Sequence, residues 1–141
     1  MRLHILIATA ALGVLFNASA ATPQEEARFI ADVKSAFEKK DSQAFLNLFC
    51  WDRVPPFIKS VSEKTAPGTV GLKVDTITLV AAAPETAKTE FVRDGVTYSP
   101  NLPVTKQIEV AHSYSGGKGK VTLPVGEKDA KFFITTAAPS K

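Results

Sequence analysis

Between Phe29 and Phe37 the apolar residues Phe29, Ile30, Val33, Ala36 and Phe37 recur every three or four positions, with Glu26, Lys34 and Glu38 on the opposite side. That period predicts an amphipathic helix of about four turns. Thr22-Pro23-Gln24-Glu25 supplies its start. Thr22 can accept from a free N–H, Pro23 suits the first helical position, and Glu25 can reach back as in a capping box. Lys39-Lys40 suit the negative end of the helix dipole, and Asp41-Ser42 can cap a second, shorter helix with Ala44, Phe45, Leu48 and Phe49 on one stripe. Pro55-Pro56 cannot lie inside a helix but fit a first turn. A third helix is therefore expected from about Pro55 to Lys64, with Phe57, Ile58 and Val61 inward and Pro67-Gly68 ending it.

From Val70 onward the period falls to two. Val70, Leu72 and Val74 alternate on even positions and Ile77 and Leu79 on odd ones, so the phase slips near Asp75-Thr76, as a β-bulge requires. Phe91-Val92-Arg93 and Val96-Thr97-Tyr98 flank Asp94-Gly95, a dipeptide suited to the positive φ angles of a type I′ hairpin turn. Beyond Pro100 and Pro103 a long strand follows, with Val104, Ile108, Val110, His112 and Tyr114 on one face and Thr105, Gln107, Glu109, Ala111 and Ser113 on the other. Gly116 to Gly119 turns the chain, Val121, Leu123 and Val125 form the next strand, and Gly126 to Ala130 turns it again. The last strand runs from Lys131 to Thr136, and residues 137–141 are expected to be a flexible tail.

Helices first and antiparallel strands after predict one α+β domain, residues 21–136, with the amino-terminal helices packed on a curved antiparallel sheet. The helix pair split at KKDSQAFLNLF, the third helix and the final meander IEVAHSYSGGKGKVTLPVGEKDAKFFITT resemble the nuclear transport factor two-like (cystatin-like) superfamily across nearly all of the domain. That resemblance implies a cone with a cavity between helices and sheet. In such a group the cavity binds a small apolar ligand, hosts catalysis as in ketosteroid isomerase-like members, or is simply filled. Fold alone does not choose among them.

The first twenty residues change the picture of where the protein works. Arg2 and His4 precede an apolar run from Ile5 to Phe16, and Asn17-Ala18-Ser19-Ala20 gives the small-residue pattern read by signal peptidase. The run is shorter than the roughly twenty residues that span a bilayer, so cleavage after Ala20 and export to the periplasm or beyond are expected, with no stable membrane anchor. Loss of Arg2 lowers the formal charge from +3 to +2, a mild and scattered balance that gives no footprint for nucleic acid.

Candidate chemistry is sparse. Cys50 has no partner for a disulfide, and His112 is the only histidine beyond the leader, so neither a cofactor nor a metal site is expected. In FCWDRVPPF, residues 49–57, Cys50 reads as a small hydrophobe, Trp51 as a core or rim aromatic, and Asp52 as a helix-dipole partner or a pair with Arg53. If the sheet is concave on the Ile108 side, Trp51, Tyr98, Ile108, Val110, His112 and Tyr114 line an apolar pocket. The leading expectation is an exported binding or accessory domain without enzymatic activity, for a small apolar molecule or a protein partner, with a homodimer through open strands as a further arrangement. One alternative is a small isomerase, dehydratase or hydrolase in which His112 is the general base, Asp52 orients it, and Tyr98 or Tyr114 polarises a carbonyl. The other is a structural domain whose cavity is filled by its own aromatics.

Overall fold

A computed structural model describes residues 20–141, so the expected signal peptide, apart from Ala20, lies outside the described residues. Helix α1, Pro23–Glu38, begins as its sequence dictates: the Thr22 hydroxyl accepts from the Glu25 N–H at 3.2 Å, with Pro23 in the first turn. The Glu25 carboxylate does not reach back to complete a capping box but bonds Arg28 one turn on. The helix ends because Lys40 turns left-handed at φ 51°, which lets the Asp41 N–H reach the Ala36 carbonyl at 2.9 Å and the Lys40 N–H the Phe37 carbonyl at 3.2 Å. Asp41 then caps α2, Ser42–Leu46, accepting from the Ala44 N–H.

Two helix boundaries differ from expectation. Helix α2 stops at Leu46, and after a turn at Asn47-Leu48 the chain bridges β6 at Phe49 because it finds better partners on a strand: Ile134 donates to the Leu48 carbonyl and Cys50 donates to the Ile134 carbonyl. Helix α3, Pro56–Val70, runs through Pro67-Gly68 and is capped only at Gly71. Ala66 and Val70, one turn apart and each 1% exposed, anchor that last turn in the core, which outweighs the hydrogen bond that Pro67 removes.

The strands form two antiparallel groups. One is ordered β1 (Lys73–Ala81), β4 (Val104–Tyr114), β5 (Gly117–Lys128), β6 (Lys131–Ile134), and the other β2 (Phe91–Arg93), β3 (Val96–Pro100), β7 (Ala137–Pro139). A short helix, α4 (Pro84–Ala87), links β1 to β2. The register of β1 on β4 shifts between Val74 and Thr76, so Asp75 is the extra residue of the expected bulge. Asp94 and Gly95 take φ 52° and 76°, the turn expected between β2 and β3. Strand β5 is longer than its apolar triplet suggested, since the glycines 117 and 119 and Gly126 pair as strand residues and only Ser115-Gly116 and Asp129-Ala130 turn.

The carboxyl end is also a correction. Ala137–Pro139 are not a loose tail but pair with β3, Ala138 is 1% exposed, and the Ser140 N–H donates to the Thr97 carbonyl. The open edge of β3 offers backbone groups that the tail satisfies.

Together these elements make an α+β domain of amino-terminal helices packed on a strongly curled antiparallel sheet, as the fold expectation required. The concave side is full. Val33 of α1, Val70 of α3, Ile108 and Val110 of β4, Val125 of β5 and Ile134 of β6 are all essentially inaccessible, with Phe29, Phe37 and Phe45 around them. Gly126 admits no side chain, because a Cβ there would stand 2.6 Å from the Pro103 carbonyl oxygen.

One buried amide ties three segments together. Asn101 donates through Nδ2 to the carbonyls of Cys50 (2.8 Å) and Asp52 (3.2 Å), and its Oδ1 accepts from the Thr136 N–H (3.0 Å). Its own N–H donates to the Thr136 carbonyl, while the Thr136 hydroxyl also donates to Cys50. Replacing Asn101 by Ala strands several of these groups, and we expect a loss of about 2 to 3 kcal/mol in chemical denaturation.

Candidate functional site

The residues expected to line a pocket belong to four different surroundings. Ile108 and Val110 are fully buried core, not a lining open to a ligand. Trp51 lies flat on Phe49, with ring centroids 5.5 Å apart, and its indole N–H donates to the Leu46 carbonyl, so the α2–α3 junction fixes it as a structural aromatic. Tyr98 is buried on β3, stacked on Phe91 at 5.0 Å and edge-on to Phe57 of α3 at 5.6 Å, with the Arg93 guanidinium over the other ring at 4.1 Å.

His112 and Tyr114 sit at the far end of β4. His112 lies opposite Val74 on one side and Gly119 on the other, and its ring occupies the space that a Cβ on Gly119 would fill, at 2.7 Å. The half-buried ring leaves Nδ1 without a hydrogen-bond partner. Tyr114, 58% exposed, folds over Gly116, its ring centroid 6.1 Å from that of His112.

Asp52 is elsewhere. It is exposed and ion-paired with Lys128 at the opposite end of β5 from Gly119, nine residues away along the strand. Nine extended residues cover about 30 Å of chain, so the expected base and its orienter are not neighbours. The pairing of His112 with Asp52 is thereby corrected, and so is the single pocket. The hydrogen bond from Lys128 holds the Asp52 carboxyl below its ordinary value, and the same bond holds the Lys128 ammonium above its own. Glu109 is likewise lowered, first by Lys120 and then by the Gln107 amide. These shifts have plain causes in exposed ion pairs on the sheet surface. Among the described residues no three His, Cys, Asp or Glu side chains come together as a metal would need.

Open grooves lie on the surface of the described residues, and two of them have apolar floors. One, of about 400 Å³, lies over α1, α2 and β6, with Phe29, Leu48 and Phe132 below and Arg28, Asp32 and Lys131 above. The other, of about 550 Å³, runs between the second half of α1 and the open edge strand β1. Its floor is Phe37, Leu72, Val74 and Ile77, and its rim carries Lys34, Glu38 and Asp75. Asp75 is held there by the Ser113 hydroxyl at 2.6 Å. The bulge makes this floor. It lets Val74 and Ile77, of opposite parity, both face α1. Phase slip and bulge were readable in the sequence; that the slipped strand would lie at the sheet edge beside Phe37 was not.

No protein-family model and no curated protein matches the chain. A solved structure named Rd1NTF2_05, carrying five substitutions, is similar at 15% identity over 84% of this chain and 100% of that chain, with a TM-score of 0.44. The architecture described above stands on this chain's own helices and strands.

The Asp52–Lys128 pair yields a signed expectation. Because the folded carboxyl is depressed, its contribution to stability is present above the ordinary aspartate range and is lost as pH falls through the folded value. In an NMR titration Asp52 should protonate at lower pH than an unpaired aspartate, and Lys128→Met should return it to the ordinary range.

Proposed function

We propose that the protein is an exported, non-enzymatic binding domain that holds a small apolar molecule in the groove between α1 and β1. The observation that carries this reading is the groove itself: an opening of about 550 Å³ with an apolar floor of Phe37, Leu72, Val74 and Ile77 and a charged rim. Small-molecule sites are commonly concave, about 300 to 1,000 Å³, apolar below and sparsely polar at the edge. The filled interior supports a site on the flank of the cone, because a ligand among Val33, Ile108 and Val110 would have to displace side chains that are already in contact.

Export is supported by Arg2, the apolar run Ile5 to Phe16 and the small residues Ala18 and Ala20. The non-enzymatic reading is supported by the distance between the two groups that a proton-transfer site would have joined, His112 beside Gly119 and Asp52 on Lys128. Lys34 and Glu38 at the rim orient a polar end of a ligand without supplying a base–orienter pair.

The test uses 1-aminoanthracene, a neutral aromatic whose fluorescence rises on leaving water. Its emission should rise saturably with the protein, and Leu72→Asp, on the half-exposed wall of the groove, should weaken binding at least tenfold while circular dichroism stays unchanged. Binding that ignores Leu72→Asp, or an absence of binding, contradicts the proposal.

A further inference from the structure

The backbone nitrogen of Ala21 lies 3.1 Å from Oε2 of Glu127, a contact between residues 106 apart in the chain. Ala21 is half-buried against the core, and α1 begins two residues later. Glu127 stands near the end of β5, opposite Phe132 of β6. It takes part in none of the ion pairs among the described residues. Lys106 of β4, the strand beside β5, lies over the Phe132 ring and is paired with Glu26 of α1 at 2.8 Å. A half-buried carboxylate thus accepts a hydrogen bond from the one nitrogen that signal-peptide removal would turn into a chain terminus.

We infer that Glu127 is the receptor for the new α-ammonium group created by processing between Ala20 and Ala21, so that export completes the fold with an ion pair the precursor lacks. This rests on the export reading and goes beyond it. Hydrolysis breaks the Ala20–Ala21 C–N bond; water supplies the oxygen that leaves Ala20 as a carboxylate, and the nitrogen of Ala21 takes up protons. An amide with a single N–H and no charge becomes an ammonium with three donors and a positive charge, at a position where the acceptor is already in place. Such charge-assisted bonds are shorter and about twice as strong as neutral ones. The bond also pins the start of α1, whose first turn would otherwise fray at a free terminus. Since α1 supplies Phe29, Val33 and Phe37 to the core, the anchor acts on the element that fills the cone.

The experiment is a double-mutant cycle on chains of residues 21–141, which contain every helix and strand described above. The chain with a free Ala21 amine is compared with the same chain acetylated at that amine, each with Glu127 and with Glu127→Gln, by thermal melting at pH 6. The free-amine chain should melt higher than the acetylated one by about 3 °C, and the gap should vanish in Glu127→Gln. A gap below about 1 °C, or one that survives Glu127→Gln, overturns the capture of the terminus. Because the cycle reads the difference between two termini, any general weakening caused by Glu127→Gln cancels. The intact mass of the exported protein reads the processing step separately. A mature chain beginning at Ala21 supports it and any other start overturns it, whatever the aminoanthracene experiment shows.

Discussion

The packing of α1 into the concave side of the curled sheet is the contact on which the other parts of the structure depend. Phe29, Val33, Ala36 and Phe37 form a single stripe on that helix, and they meet Ile108 and Val110, Val125, and Phe132 and Ile134 from the three central and edge strands. Burying a side chain of this kind contributes about 1.5 to 3 kcal/mol, so this interface outweighs any polar contact on the surface. It also decides what kind of protein this is. A concave sheet faced by small or polar side chains leaves a hollow; one faced by branched aliphatics and covered by a phenylalanine-rich helix does not.

The stretch FCWDRVPPF is where the helices are fastened to the sheet. Phe49 and Cys50 run beside Ile134, the Cys50 carbonyl takes two hydrogen bonds, and Trp51 lies against Phe49. Its unusual composition therefore reflects a crowded junction: a small thiol where β6 passes, an aromatic whose N–H must find a carbonyl, and prolines that begin α3. Asn101 closes the junction from the other strand group by matching its one amide to groups on two segments. Neither Cys50 nor Trp51 needs a ligand to account for its position.

Much of this was legible from the residues. The period of 3.6 found α1, the slip at Asp75 found the bulge, and Asp94-Gly95 found the hairpin, because each rests on interactions within a few residues. The misses have long-range causes. Leu48 and Phe49 left their helix for a pairing with residue 134, Pro67 stayed in a helix held by Ala66 and Val70, and Ala137 to Pro139 became a strand because β3 had a free edge. The candidate site fared worst. Alternation along β4 placed Ile108, Val110 and His112 on one face but said nothing of how deep α1 would settle, and depth separates a lining residue from a core residue. Asp52 was tied to Lys128, at the end of β5 and 76 residues away in the chain, which no local pattern encodes.

With the interior closed, the proposed binding site lies on the flank, where the edge strand β1 and helix α1 leave an apolar trough, and the proposed terminus contact lies at Glu127, beside the start of α1. Both depend on the seating of α1. Diffraction from crystals pressurised with xenon tests that seating directly, since xenon enters apolar voids large enough to hold it. This account predicts no xenon among Val33, Ile108, Val110 and Val125. A well-occupied xenon atom there would show a hollow cone and contradict it.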